Sequence, residues 1–126
     1  MSRTRFYVCK KCGNIVGLIH GAGVPLVCCG EVMEHLNPKI NDSGNEKHIP
    51  VVTVSGDRVS VSVGSQLHPM ENEHGVRWIY LQTDRGGQRK CLEESGAPVA
   101  EFALCDEKPE AVYAYCNLHG LWMTAL

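Results

Sequence analysis

The chain has 126 residues, with 44% apolar and 21% charged side chains. That length suits one ordinary domain, or one domain with a small appendage, and the composition is that of a folded globular protein. Twelve Lys and Arg against fourteen Asp and Glu give a formal net charge of -2, which argues against a nucleic-acid binder relying on a basic surface. No run approaches the ~20 apolar residues of a membrane span. Arg3 and Arg5 near the start have no apolar run behind them, so a secretory leader is not expected and a cytoplasmic location is.

Cysteine stands out: seven residues, an odd number, together with six His. In a chain read as intracellular, metal ligation is a better first expectation than disulfides. Thiolates and imidazoles together suit zinc, copper and iron.

In chain order, Cys9-Lys10-Lys11-Cys12-Gly13 comes first, a metal knuckle whose glycine permits the tight turn around two thiolates. Fifteen residues separate Cys12 from Cys28, which is followed directly by Cys29. Neighbouring α-carbons are only ~3.8 Å apart, so this adjacent pair predicts a tetrahedron distorted on that side. Residues 36–45 are rich in turn formers and read as a linker or long loop, placing a boundary near residue 37. A piece of about 36 residues falls below the ~40 that a hydrophobic core alone usually supports, so residues 1–36 need a metal staple.

Residues 37–126 can bury a core of their own, and their pattern is strand-like. Residues 51–55 and 59–63 are β-branched runs joined by Gly56-Asp57-Arg58, a hairpin signal. In the second, Val59, Val61 and Val63 alternate with Ser60 and Ser62, the period of a half-buried strand. Residues 76–83 follow, then a turn at 84–87, a return strand through 89–92, and strands at 98–105 and 111–116. Such spacing predicts an antiparallel sandwich.

Glu46-Lys47-His48 opens this part, followed by His68 and His74 with five residues between them, and by Cys116-Asn117-Leu118-His119 near the end. Four imidazoles and one thiolate make five donors, one more than a closed zinc tetrahedron takes. Iron accommodates five and leaves a sixth position open. Blue copper sites favour two His, one Cys and a weak axial group, so iron is preferred.

The Cys-x-x-Cys pair followed by adjacent Cys-Cys resembles the desulforedoxin-like module of desulfoferrodoxins, and the three later motifs resemble the catalytic domain of superoxide reductases. Together they are similar, over nearly the whole chain, to the two-iron desulfoferrodoxin family. The resemblance implies an all-β fold: a small rubredoxin-type module over residues 1–36, then an immunoglobulin-like antiparallel sandwich over 37–126. It implies two iron ions per chain, one on Cys9, Cys12, Cys28 and Cys29, the other on His48, His68, His74 and His119 with Cys116 as axial ligand. The implied activity is one-electron reduction of superoxide to hydrogen peroxide, a detoxification, with electrons from a donor such as rubredoxin. Lys47 and Glu46 match the family's basic and acidic pair beside the first His ligand: Lys47 would attract the anion and help deliver a proton, and Glu46 would cap the oxidised resting centre. A homodimer is implied as well, since the small module resembles one that pairs with its twin.

Two other readings fit the same residues: an electron carrier using only the four-thiolate centre, and a zinc-stapled interaction module without redox chemistry. His20 and His35 lie outside the four-thiolate pattern and read as structural or solvated. Cys91 and Cys105 read as buried small hydrophobes or incidental thiols, and Trp78 and Trp122 as packing residues, Trp122 also shielding the metal loop. Gly75 follows His74 where members of the resembled family often carry a bulky residue, a departure that would loosen the loop over the iron.

Overall fold

A computed structural model describes residues 4–41, 48–64, 69–70, 74–93 and 96–126. The chain divides into two compact units, Met1–Asn37 and Pro38–Leu126. Every element among the described residues is a strand, as the all-β reading expects, and no described helix is long and apolar enough to cross a membrane.

In the first unit β1 (Phe6–Val8) lies between β2 (Ile15–Gly17) and β5 (Glu34–His35), all antiparallel. A separate small hairpin joins β3 (Val27–Cys28) to β4 (Glu31–Val32). The buried apolar residues among those described are Phe6, Cys9 and Met33. Three side chains cannot offset the ordering of such a chain by hydrophobic burial. The second buried member is itself a thiol, so the unit is built around its cysteines.

The second unit has two sheets. One runs β10 (Val99–Ala103), β7 (Arg58–Val63), β6 (Pro50–Ser55); the other runs β12 (Gly120–Ala125), β11 (Pro109–Cys116), β8 (Val76–Thr83), β9 (Gly86–Cys91). All pairings are antiparallel. The core takes Val59, Val61 and Val63 from β7, Ala100 and Phe102 from β10, Val76, Ile79 and Leu81 from β8, and Val112 and Ala114 from β11. The Val-Ser alternation of β7 thus puts its valines inside, as the period-2 pattern requires.

Local chemistry explains most boundaries. Ser55 pairs with Arg58, so the β6–β7 turn is Gly56-Asp57, with Gly56 at φ 60°. Arg58 is therefore the first residue of β7, one position earlier than the sequence turn suggests. Strands β9 and β10 are shorter or shifted relative to the runs expected at 89–92 and 98–105. β9 is an exposed edge carrying Arg89 and Lys90, charges that discourage pairing with another chain. The five short strands of the first unit and β12 have no counterpart in the sequence pattern, because pairs of two or three residues carry no detectable period and Gly120–Ala125 directly follows a ligand motif.

Candidate metal centres

The first centre begins at the knuckle. The Cys9 amide donates to the Asn14 carbonyl at 2.8 Å, the Gly13 amide to the Cys9 carbonyl at 2.9 Å, and the Cys12 amide lies 3.5 Å from Cys9 Sγ. Gly13 takes φ 84°, a region open to glycine at little cost. The adjacent pair is placed by the β3–β4 hairpin. Cys28 pairs with Glu31, leaving Cys29 and Gly30 as a two-residue turn with φ 53° and 75°. Positive φ at both central positions is what a type I′ turn demands. Along an extended strand, neighbours point to opposite faces; the left-handed backbone at Cys29 brings both sulfurs to one side.

Cys12 Sγ lies 3.6 Å from Cys28 Sγ, which lies 3.9 Å from Cys29 Sγ. A tetrahedron of metal–sulfur bonds of about 2.3 Å has edges of about 3.8 Å. The four sulfurs all fall within 4.8 Å of one another, so the donor set fits an ion. The expected distortion is absent from the Cys28–Cys29 edge; the accommodation is made in the backbone of Cys29 instead.

The thiols influence one another strongly. The Cys12 backbone amide, aided by that of Lys11, lowers the pKa of Cys9 to about 6 against the opposing effect of burial. Cys12 and Cys9 in turn push Cys29 up to about 12, and they raise Cys28 as well. Gathering four anionic sulfurs is thus costly until a cation arrives.

The second centre forms at one end of the sandwich. His48 precedes β6, His74 precedes β8, Cys116 ends β11, and His119 is the last residue of the turn into β12. These antiparallel strands begin or end together, so distant residues meet. Val76 and Ile79 both face the core although three positions apart, because the β8–β11 register shifts between Trp78–Tyr115 and Val76–Cys116. Bulges of this kind re-aim side chains beside functional sites. Gly120 closes the three-residue turn at φ 84°.

Donor atoms of His48, His74, Cys116 and His119 lie within 4.8 Å of one another. His48 Nε2 is 3.0 Å from His119 Nδ1, and Cys116 Sγ is 3.8 Å from the same nitrogen. Two nitrogens about 2.1 Å from a shared ion and at right angles stand about 3.0 Å apart, so this set also fits a metal. The His74 and His119 rings approach edge-on at 5.0 Å. His48 and Cys116 are buried, at 4% and 1% exposure, whereas His119 is exposed. Burial, and secondarily the charge of Cys116, raises the pKa of Tyr115.

Residues 40–125 match the desulfoferrodoxin family, and residues 2–36 match the desulfoferrodoxin N-terminal domain. The chain belongs to the desulfoferrodoxin family. A desulfoferrodoxin homolog of Archaeoglobus fulgidus is 44% identical over 118 residues, spanning 94% of each chain. The desulfoferrodoxin of Nitratidesulfovibrio vulgaris is 44% identical over 116 residues, 92% of this chain and 91% of its own. The crystal structure of the superoxide reductase from Treponema pallidum is similar with a TM-score of 0.84 at 38% identity, covering 97% of this chain and 98% of that one.

Of the desulfoferrodoxin motif residues, the structure brings Cys9, Cys12, Cys28 and Cys29 together, and separately His48, His74, Cys116 and His119. His68, Glu46 and Lys47 lie outside the described residues. Cys91 and Cys105 are exposed, because one ends the edge strand β9 and the other sits in the turn after β10, so of the two readings given for them the buried hydrophobe falls and the incidental thiol stands. Gly75 itself is held on both sides: its amide donates to Asn117 Oδ1 at 2.9 Å, and its carbonyl accepts from the Asn117 amide at 3.2 Å, while residues 71–73 before it lie outside the described residues. Asn117 therefore joins the His74 and His119 segments, a role hidden in sequence behind the two ligand types that flank it. Trp78 packs as expected, stacked on Tyr115 with centroids 5.4 Å apart. Trp122 goes further, stacking on His48 at 4.5 Å with planes 11° apart.

Proposed function

We propose that this chain is a superoxide reductase, converting superoxide to hydrogen peroxide at an iron centre held by His48, His68, His74, His119 and Cys116. The observation that carries the reading is the convergence of three imidazoles and one thiolate within 4.8 Å at one end of the sandwich, in a chain of the desulfoferrodoxin family. Superoxide needs one electron and two protons to become hydrogen peroxide. Iron, when bound, supplies that electron.

The chain's residues set the conditions. Neutral imidazoles bring no charge, so Cys116 is the anionic donor, and its burial keeps the sulfur from solvent and oxidants. Lys47, next to a ligand, gives the approaching anion a positive target and orders the water that carries a proton. Glu46, two residues before His48, caps the oxidised resting centre. Cys9, Cys12, Cys28 and Cys29 hold the second iron and give the chain a further one-electron store. Rubredoxin or a similar small protein is the donor.

The chain acts in the cytoplasm as a homodimer. Its exposed thiols Cys91 and Cys105 suit a reducing compartment. Val16, Ile19, Val24, Val27 and Val32 expose apolar side chains on the small first unit, the kind of surface a second copy covers.

The test is metal analysis and a visible spectrum before and after mild reduction, with a peroxide assay on superoxide. Iron in both centres and peroxide formed without dioxygen evolution are expected, and Cys116→Ser should lose efficient peroxide formation. Colourless protein carrying zinc, or full activity in Cys116→Ser, would refute the reading.

A further inference from the structure

Lys39 lies in the stretch that reads as linker in sequence, yet it is fixed at both ends. Its amide donates to the Leu121 carbonyl at 2.9 Å and its carbonyl accepts from the Met123 amide at 2.9 Å. Those bonds clasp β12 on either side of Trp122, making a parallel bridge between Lys39 and Trp122. The ammonium then donates to the His119 carbonyl oxygen at 3.0 Å and stands 4.9 Å from the centroid of the Trp122 ring. Trp122 carries the contact inward, since its ring also stacks on the His48 imidazole at 4.5 Å.

A surface lysine ordinarily samples many rotamers at little consequence. This one is held against the peptide of one donor residue and the stacking partner of another. Among the described residues no carboxylate forms an ion pair with it. A fixed positive charge beside a metal disfavours whichever oxidation state is the more positive. Loss of one electron from ferrous iron raises the charge of the centre by one, so the cation holds iron in its reduced form.

We propose that Lys39 is a positioning residue of the His/Cys centre, which raises its reduction potential and, through Trp122, holds the plane of His48. The proposal rests on the superoxide reductase reading and adds to it a residue that need not touch the substrate. It also gives the two lysines distinct roles, since Lys47 would act on the incoming anion whereas Lys39 acts on the centre itself.

The proposal is tested by a mediated redox titration of full-length, iron-loaded protein at the visible band that disappears in Cys116→Ser. At a fixed poise near the wild-type midpoint, Lys39→Met should raise the ratio of oxidised to reduced centre by roughly 3- to 10-fold. Lys39→Arg, which keeps the charge, should stay within about twofold of wild type. The Lys39→Met shift should shrink as ionic strength rises from about 0.01 M to about 1 M, where the screening length falls from ~30 Å to ~3 Å. A Lys39→Met midpoint equal to wild type at low salt overturns the proposal. A shift shared by Lys39→Arg and indifferent to salt also overturns it, leaving only a local structural role. Wild-type protein with no such band, or one that does not titrate, overturns the superoxide reductase reading and the proposal with it.

Discussion

At the scale of single residues, the second centre depends on side chains that hold ligands as much as on the ligands. Asn117 is the clearest case, because one residue bonds both polar backbone groups of Gly75. Asn117→Ala leaves the buried Gly75 amide without its acceptor, which costs about 1–3 kcal/mol. A lower thermal midpoint with weaker iron retention in the second centre is expected; an unchanged midpoint would show that the link is dispensable. Lys47 and Glu46 differ in kind, since their proposed effects are kinetic and spectral. Lys47→Ala should slow the reaction with superoxide at low salt while iron stays bound, and the gap should close as salt screens the charge. Glu46→Ala should alter the oxidised spectrum and leave that rate intact. An equal low-salt rate for Lys47→Ala would remove its steering role.

At the scale of elements, turns decide where donors point. Cys29 takes φ 53°, a conformation that costs an L-residue roughly 1–2 kcal/mol, and it persists because the β3–β4 hairpin closes only through positive φ. The same hairpin pairs Val27 with Val32, both about two-thirds exposed at 64% and 66%. Facing pairs lie on one side of a sheet, so they form a single apolar patch available to a second copy. Val27→Asp with Val32→Asp places two like charges there and should shift the proposed dimer to monomer in sedimentation, with iron binding retained. A dimer that survives would locate the interface elsewhere.

At the scale of the whole molecule, the two units have different sources of stability. Residues of the second unit bury a continuous core spanning both sheets, whereas the described part of the first buries only Phe6, Cys9 and Met33. Chelation of both metals should therefore unfold the first unit and leave the second folded, seen as loss of one calorimetric transition. Acid should do the same. Protons compete with metal for thiolates, which must be deprotonated to bind it. Iron content of the four-cysteine centre should decline with acidification before the sandwich melts; retention down to the acid unfolding of the second unit would contradict this.

Whatever depends on residue type and short spacing was legible before any fold was known. The alternation in β7 dictated which valines face inward, and the paired cysteines with the later His and Cys motifs marked the groups able to bind metal. The shortness of the piece before residue 37 called for a staple. Tertiary structure decided what depends on residues far apart in the chain. That Lys39 reaches His119, that Asn117 secures Gly75, that Trp122 lies flat on His48, and that Cys91 and Cys105 face solvent all follow from strand register and from which strands sit at a sheet edge. Such contacts are set by packing across 40 to 80 positions of chain, as the separations of Gly75 from Asn117 and Lys39 from His119 illustrate, and no local pattern encodes them.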